Sequence, residues 1–154
     1  MKYTIIFLFA MITFSISSCT SLKGGKPTIK QGVFGRVLWK EGNAMPSLGG
    51  PKISDGKPVP RVVQIYEVAK ASDADGQSPL FRSIKTKLIA TVRTNAEGYF
   101  QYELALGSYS IFTVEEDGQL FSSLGNMNGE IGSFEVKANE VTHYNIVVNY
   151  KAFY

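Results

Sequence analysis

Residue types able to do chemistry are thinly spread along these 154 amino acids. Cys19 and His143 are the only thiol and the only imidazole. His143 has no second His or Cys to share a metal and stands where a strand is expected to begin. The expectation for it is a solvated or locally hydrogen-bonded ring, not a ligand or a base. Serines are frequent, yet none has an evident catalytic partner, and an unassisted hydroxyl is a poor nucleophile. The run Asp73-Ala74-Asp75-Gly76-Gln77-Ser78 has the acid spacing of a calcium loop. Such a loop needs six to eight oxygens and a bidentate Glu at its twelfth position, and the residue reached by counting from Asp73 is Ile84. Turn formation by the Asp side chains is the expected role. Asn126-Met127-Asn128-Gly129-Glu130-Ile131 is a weaker echo, with neutral amides where a hard cation wants carboxylates. The expectation is therefore no catalytic group, no metal and no cofactor.

What positions Cys19 is the segment before it. Met1-Lys2 supplies a minimal positive start, and Tyr3 to Ile16 is an almost uninterrupted apolar run. A membrane-spanning helix needs roughly 20 such residues, so the run is short for a span and suits a secretory signal. Ile16-Ser17-Ser18-Cys19 resembles the bacterial lipoprotein signal: an aliphatic residue, two small residues, then the cysteine that is acylated and becomes the mature N-terminus. Ser18 stands where Gly or Ala is commoner. The resemblance implies a signal peptide over 1–18 and a lipid anchor at Cys19, and hence the bilayer as a partner. One acyl chain binds marginally, at about 0.8 kcal/mol per buried methylene, and several chains on one cysteine make the anchor permanent.

Composition bounds the rest. The formal charge is +3, and Lys2 is the only charge ahead of Cys19. Without a dense Lys/Arg patch, nucleic acid is not an expected partner. Charged residues are 19% and apolar ones 44% of the chain, which is a globular balance sufficient for one buried core. Residues 19–31, rich in Ser, Gly, Lys and Pro, read as a flexible tether, and 32–154 as a single domain. Within it, short alternating runs are separated by polar turns. They are Gly32–Trp39, Arg61–Ala69, Lys87–Thr94, Tyr99–Leu104, Tyr109–Val114, Ser133–Lys137 and Val141–Tyr150. Asn95 to Gly98 and Gly107 punctuate the middle of the series, and Phe100, Tyr102, Tyr109 and Phe112 are expected in the core. No helical period is visible outside the signal, so the pattern predicts an all-β sandwich. Lys40–Lys57, Lys70–Ser78 and Ser122–Gly132 read as loops, and loops of such length are often functional.

Four stretches carry a family resemblance in order: Gly32-Val33-Phe34-Gly35-Arg36-Val37, Gly56 to Ile65, Thr94-Asn95-Ala96-Glu97-Gly98-Tyr99-Phe100, and Leu106-Gly107-Ser108-Tyr109-Ser110-Ile111. The domain is similar to carboxypeptidase regulatory-like domains, the prealbumin-like sandwiches related to transthyretin. The fold this implies is a single prealbumin-like/Ig-like antiparallel β-sandwich of about seven strands. Function is not implied by such motifs. Transthyretin-related hydrolases need a His/Arg cluster and a characteristic C-terminal tetrapeptide; this chain has His143 alone and ends Lys151-Ala152-Phe153-Tyr154. Adhesin-type sandwiches lock themselves with a Lys–Asn isopeptide bond beside a buried carboxyl. Lys40 with Asn149 or Asn145, and Glu103 or Glu115, would be the parts, but Lys40 lies past the expected strand and Thr113 stands where the adhesin Glu belongs. Both alternatives are disfavoured.

The expectation is a non-enzymatic lipoprotein of the bacterial envelope, at the outer membrane, acting as a binding or structural accessory module. Its partner would be an envelope protein or a glycan. As a carbohydrate- or peptide-binding module it would use loop and aromatic residues, with Trp39, Asn43, Met45, Tyr66 and Tyr99 as candidate contacts.

Overall fold

The computed structural model describes residues 25–43, 56–123 and 125–153. Twelve strands and no α-helix occur among them: β1 (Gly32–Asn43), β2 (Lys57–Pro58), β3 (Val62–Glu67), β4 (Ala74–Gln77), β5 (Leu80–Ile84), β6 (Leu88–Arg93), β7 (Tyr99–Glu103), β8 (Gly107–Val114), β9 (Leu120–Phe121), β10 (Ser133–Val136), β11 (Val141–His143) and β12 (Ile146–Phe153). They form two sheets, one of five strands and one of seven.

The first sheet is built on β1, which rises from Gly32 to Asn43. Its lower half pairs with β11 in parallel and with β7 antiparallel, and its upper half with β12 in parallel and with β2 antiparallel. The second sheet runs β4-β5-β9-β8-β3-β6, with β10 beside the lower half of β8. Between the sheets lies a core in which Val33, Val37, Val63, Ile65, Phe100, Ile111, Phe121 and Val148 are almost wholly buried. Period-2 alternation explains the membership: on β1 the odd residues Val33 and Val37 turn inward, leaving Phe34, Arg36 and Leu38 on the outer face. Central strand β8 is buried on both faces. Ile111 enters the core between the sheets, while Phe112 enters a second apolar cluster with Tyr66, Ala69, Phe81, Leu120 and Ile131.

The turn 95–98 closes by backbone bonds from Gly98 N to Asn95 O and from Asn95 N to Tyr99 O. Gly98 has φ +79°, and a Cβ there would stand 2.5 Å from the Val37 carbonyl oxygen, so only glycine fits.

The all-β reading and the two-sheet arrangement stand; several details differ. The strands number twelve among the described residues, not about seven, because the run expected over Val141–Tyr150 divides into β11 and β12 and because the short strands β2, β4, β5 and β9 lie in or beside segments that read as loops and turns. The first sheet is mixed, since β1 runs parallel to β11 and β12. β1 extends four residues beyond Trp39. Lys70–Ser78 holds a 3-10 turn at Ala71–Asp73 and β4, which pairs with β5; its mostly exposed polar residues carry no alternation to betray it. Tyr102 is 38% exposed, unlike Phe100 at 0%. β7 is an edge strand, covered by β1 on one side alone.

Candidate functional site

The upper end of the molecule brings together three chain turns: the approach to β3, the end of β6 and the end of β8. An open cleft of about 320 Å3 lies there, lined by Pro60, Arg61, Val62, Arg93, Thr94, Val114, Glu115 and Glu116. Its two rims are tied by backbone and side chain, with Arg61 N donating to Thr94 Oγ1 at 2.8 Å and Thr94 N to Arg61 O at 3.0 Å.

Glu115 is the unusual residue. Its side chain is 1% exposed, and that of Arg61 18%. The same alternation that buries Ile111 and Thr113 turns Glu115 inward just after β8 ends. Thr113 Oγ1 donates to Glu115 Oε1 at 2.8 Å, and the Tyr150 hydroxyl to Oε2 at 3.2 Å. Arg61 Nε stands 3.4 Å from Oε2, within ion-pair range, yet it makes no hydrogen bond and is itself buried. The two observations agree if the pair is read as charge contact with poor alignment, since angle matters for a hydrogen bond and much less for Coulomb attraction. Arg61 Nη1 donates to the Pro60 carbonyl at 3.2 Å.

Aromatic rings complete the site. The Arg61 guanidinium lies 5.4 Å from the centre of the Trp39 ring and the Lys151 ammonium 5.6 Å from it. Trp39 packs edge-on against Tyr150 at 5.3 Å, and Tyr150 against Phe121 at 5.8 Å. Burial, with the Glu115 carboxylate beside it, pushes the Tyr150 phenol up to about 12. Its proton is thus held on the ring and points at Glu115. Chemically the site is a buried carboxylate covered by the Arg61 cation, with the Trp39 and Tyr150 rings packed behind that cation and an open, mixed polar and apolar cleft in front of it.

Of the residues singled out from sequence, Trp39 belongs to this site. Asn43 ends β1, its backbone opposite Phe153. Cys19 and Met45 lie outside the described residues. Tyr66 is 8% exposed, packs edge-on against Phe112 and donates to Gln64 Oε1, so it fills the second cluster and presents no platform. Tyr99 lies on the outer face of the first sheet, stacked on Phe34 at 5.8 Å with Arg36 over its ring at 4.7 Å. Trp39, Tyr66 and Tyr99 are therefore not brought together. His143 is exposed, edge-on to Phe34 at 5.3 Å.

Of the isopeptide parts, the register sets Lys40 beside Asn149 on the adjoining strands β1 and β12. Glu103 sits opposite Gly32, at the far end of β1 from Lys40. Asn145 accepts a bond from Arg36 N at 3.0 Å. Asn149 lies between Val148 and Tyr150, which both turn toward the core, so it faces away from Glu115. In the calcium-like run, Asp73 accepts from Lys70 N at 2.9 Å, and Asp75 accepts from Arg82 Nε and Nη2 at 3.0 and 2.7 Å. The Arg82 hydrogen bonds hold the Asp75 carboxyl below its ordinary range. Asn126 accepts from Asn128 N and Glu130 N, as a turn-forming Asn does. Among the described residues no group of three or more His, Cys, Asp or Glu stands close enough to hold a metal ion.

The sequence marks Glu115 only as a candidate carboxyl for an isopeptide bond and does not mark Arg61 or Tyr150. Counting by twos from Ile111 reaches Glu115, and from Ile146 reaches Tyr150, so the inward signal was there; the acidic run Glu115-Glu116-Asp117 disguised it as an exposed turn. Comparison of the chain with family models, with curated proteins and with solved structures finds no match.

Proposed function

We propose that this chain is a non-catalytic lipoprotein of the bacterial envelope, anchored through acylated Cys19 at the outer membrane and acting as a binding or accessory module. The observation that carries the reading is Ile16-Ser17-Ser18-Cys19 at the end of an apolar run too short to span a bilayer. The fold we assign within the all-β class is the prealbumin-like sandwich of carboxypeptidase regulatory-like domains, on the motifs around Gly35, Gly98 and Gly107. Metabolic labelling with radioactive palmitate tests the anchor: the wild-type chain takes up label and Cys19→Ala does not. Label on the Cys19→Ala chain would remove the assignment.

The cleft favours a binding role directed at a glycan or a peptide. Arg61, Arg93, Thr94 and Glu116 offer donors and acceptors beside the apolar Val62 and Val114, the combination that sugars and short peptides use, and Arg61 couples the cleft to the Trp39 ring beneath it. Trp39 is the only tryptophan, so its fluorescence reports occupancy. Titration with envelope glycans or peptides should shift Trp39 emission in the wild type and not in Arg61→Ala. Identical titrations of both proteins would place binding elsewhere.

A further inference from the structure

Residues 25–31 do not stand off the sandwich. Thr28 N donates to Gln101 Oε1 at 2.9 Å, and Gln101 Nε2 returns a bond to Thr28 Oγ1 at 2.6 Å. Gln31 Nε2 donates to Leu104 O at 2.8 Å, and Asn139 N donates to Gln31 Oε1 at 3.1 Å. Gly25 lies against Tyr99, so closely that a Cβ would stand 2.7 Å from the phenol oxygen. Gly25, Thr28 and Gln31 thus meet Tyr99, Gln101 and Leu104 in turn. The described segment runs alongside β7 on the first sheet and begins, at Gly25, against Tyr99.

From this geometry we infer that the outer face of the five-stranded sheet docks on an anionic bilayer surface. The inference rests on the lipid anchor at Cys19. Six peptide steps separate Cys19 from Gly25, and at ~3.3–3.6 Å each they reach roughly 20 Å. That reach bounds the distance of Gly25, and of the Tyr99 surface it lies against, from the headgroups. The character of this face suits that neighbour. Tyr99 covers Phe34, which is 5% exposed, so the ring this face presents is that of Tyr99 with its polar tip, beside the half-buried Val147. Lys26 and Lys30 are exposed on the docked segment, Arg36 lies over Tyr99, and Lys23 precedes them in sequence. Glu41, Glu97, Glu103 and Glu140 are the acids on or beside this sheet, where Lys40, Lys57 and Lys151 add to the cations. On and beside the strands of the second sheet Asp and Glu outnumber Lys and Arg, which leaves the first sheet as the more cationic side. Anionic headgroups attract such a side within a Debye length.

The test uses the full acylated chain in vesicles of phosphatidylethanolamine and phosphatidylglycerol carrying a headgroup-linked spin label. Because Cys19 is the only native cysteine and is blocked by acylation, single new thiols can be labelled with a fluorophore. His143→Cys marks the first sheet and Met127→Cys the far side, where Met127 is fully exposed. The His143→Cys label should be quenched several-fold more strongly than the Met127→Cys label. Adding Thr28→Val and Gln101→Ala frees the docked segment and lengthens the leash toward 12 residues, and the contrast should collapse while vesicle attachment is kept. Equal or reversed quenching in attached protein overturns the docking. Chain that fails to float with the vesicles overturns the anchor itself, and the docking with it.

Discussion

Replacing Arg61 by Met tests whether the Glu115 cluster is a true buried ionic site. The substitution keeps most of the apolar stem against Trp39 and removes the charge. Glu115, 1% exposed at its side chain, is then left with two neutral hydroxyl donors. Breaking a buried ion pair on one side typically costs ~3–5 kcal/mol. The Arg61 contact is misaligned at 3.4 Å and its side chain keeps 18% exposure, which puts the expectation at the low end, about 3 kcal/mol by that scale. Loss of the guanidinium over the indole adds ~0.5–1 kcal/mol. The double variant Arg61→Met, Glu115→Gln leaves no buried charge, so it should recover most of the loss. A coupling energy of about 2 kcal/mol should separate the pair from additive behaviour.

Urea unfolding of the mature chain, followed by circular dichroism so that Trp39 need not serve as the probe, reads Arg61→Met, Glu115→Gln and the double variant, which together close the cycle. A midpoint shift without a change in slope reports stability alone. If Arg61→Met costs under about 1 kcal/mol, the pair behaves as an exposed one and the burial argument fails. If the double variant is less stable than Arg61→Met, uncompensated charge is not what the single substitution exposes.

Three further outcomes follow from the packing. Phe100→Ala removes a ring that is 0% exposed at the centre of the core, and should cost about 3–5 kcal/mol; a negligible change in the unfolding midpoint would mean that β7 presents its other face. Gly98→Ala forces a Cβ into a φ of +79° and against the Val37 carbonyl, so its melting temperature should fall by an amount worth more than about 1 kcal/mol; an unchanged melt would refute the turn geometry. Burial pushes Tyr144 up to about 12, and burial with Glu115 does the same for Tyr150. An unfolded tyrosine loses its proton near pH ~10, so the fold binds more protons than the unfolded chain between pH 10 and about 12. The stability these two phenols contribute is complete below pH 10 and lost across that window. Tyrosinate absorbance on the folded chain should show a late phase, smaller in Tyr150→Phe; a single phase near pH 10 would contradict their burial.

How much of this was legible in the sequence depends on how each strand earns its place. β3 and β8 carry runs of apolar residues at period 2, and packing on at least one face makes that pattern obligatory; they fall within the predicted runs to a residue or two, whereas the single strand expected over Val141–Tyr150 is divided into β11 and β12, with β12 continuing to Phe153. β4 is held by pairing with β5 and by Asp75 with Arg82, and backbone pairing leaves no mark on side-chain type. The parallel alliance of β1 with β11 and β12 joins residues more than a hundred positions apart, and no local signal encodes such a partner. Even so, the partner decides the site, because β12 delivers Tyr150 to Glu115 and to Trp39.

Glu115 shows the same limit from the chemical side. Its inward direction follows from counting by twos along β8, whereas its burial requires knowing that Tyr150, Thr113 and Arg61 converge on it. Acid runs in loops are usually solvated, and two of the three residues in Glu115-Glu116-Asp117 obey that rule: Glu116 and Asp117 are exposed. The exception is the one whose neighbours supply donors. A carboxylate stays charged and buried only when hydrogen bonds and a cation replace its water. Its burial is therefore a property of the assembled sheets. Long loops are the usual place for distinctive chemistry, yet here two of them help close the second apolar cluster, Ile131 inside it and Ala74 packed against it. The polar site lies instead where strand ends meet, at a position fixed by the core beneath it.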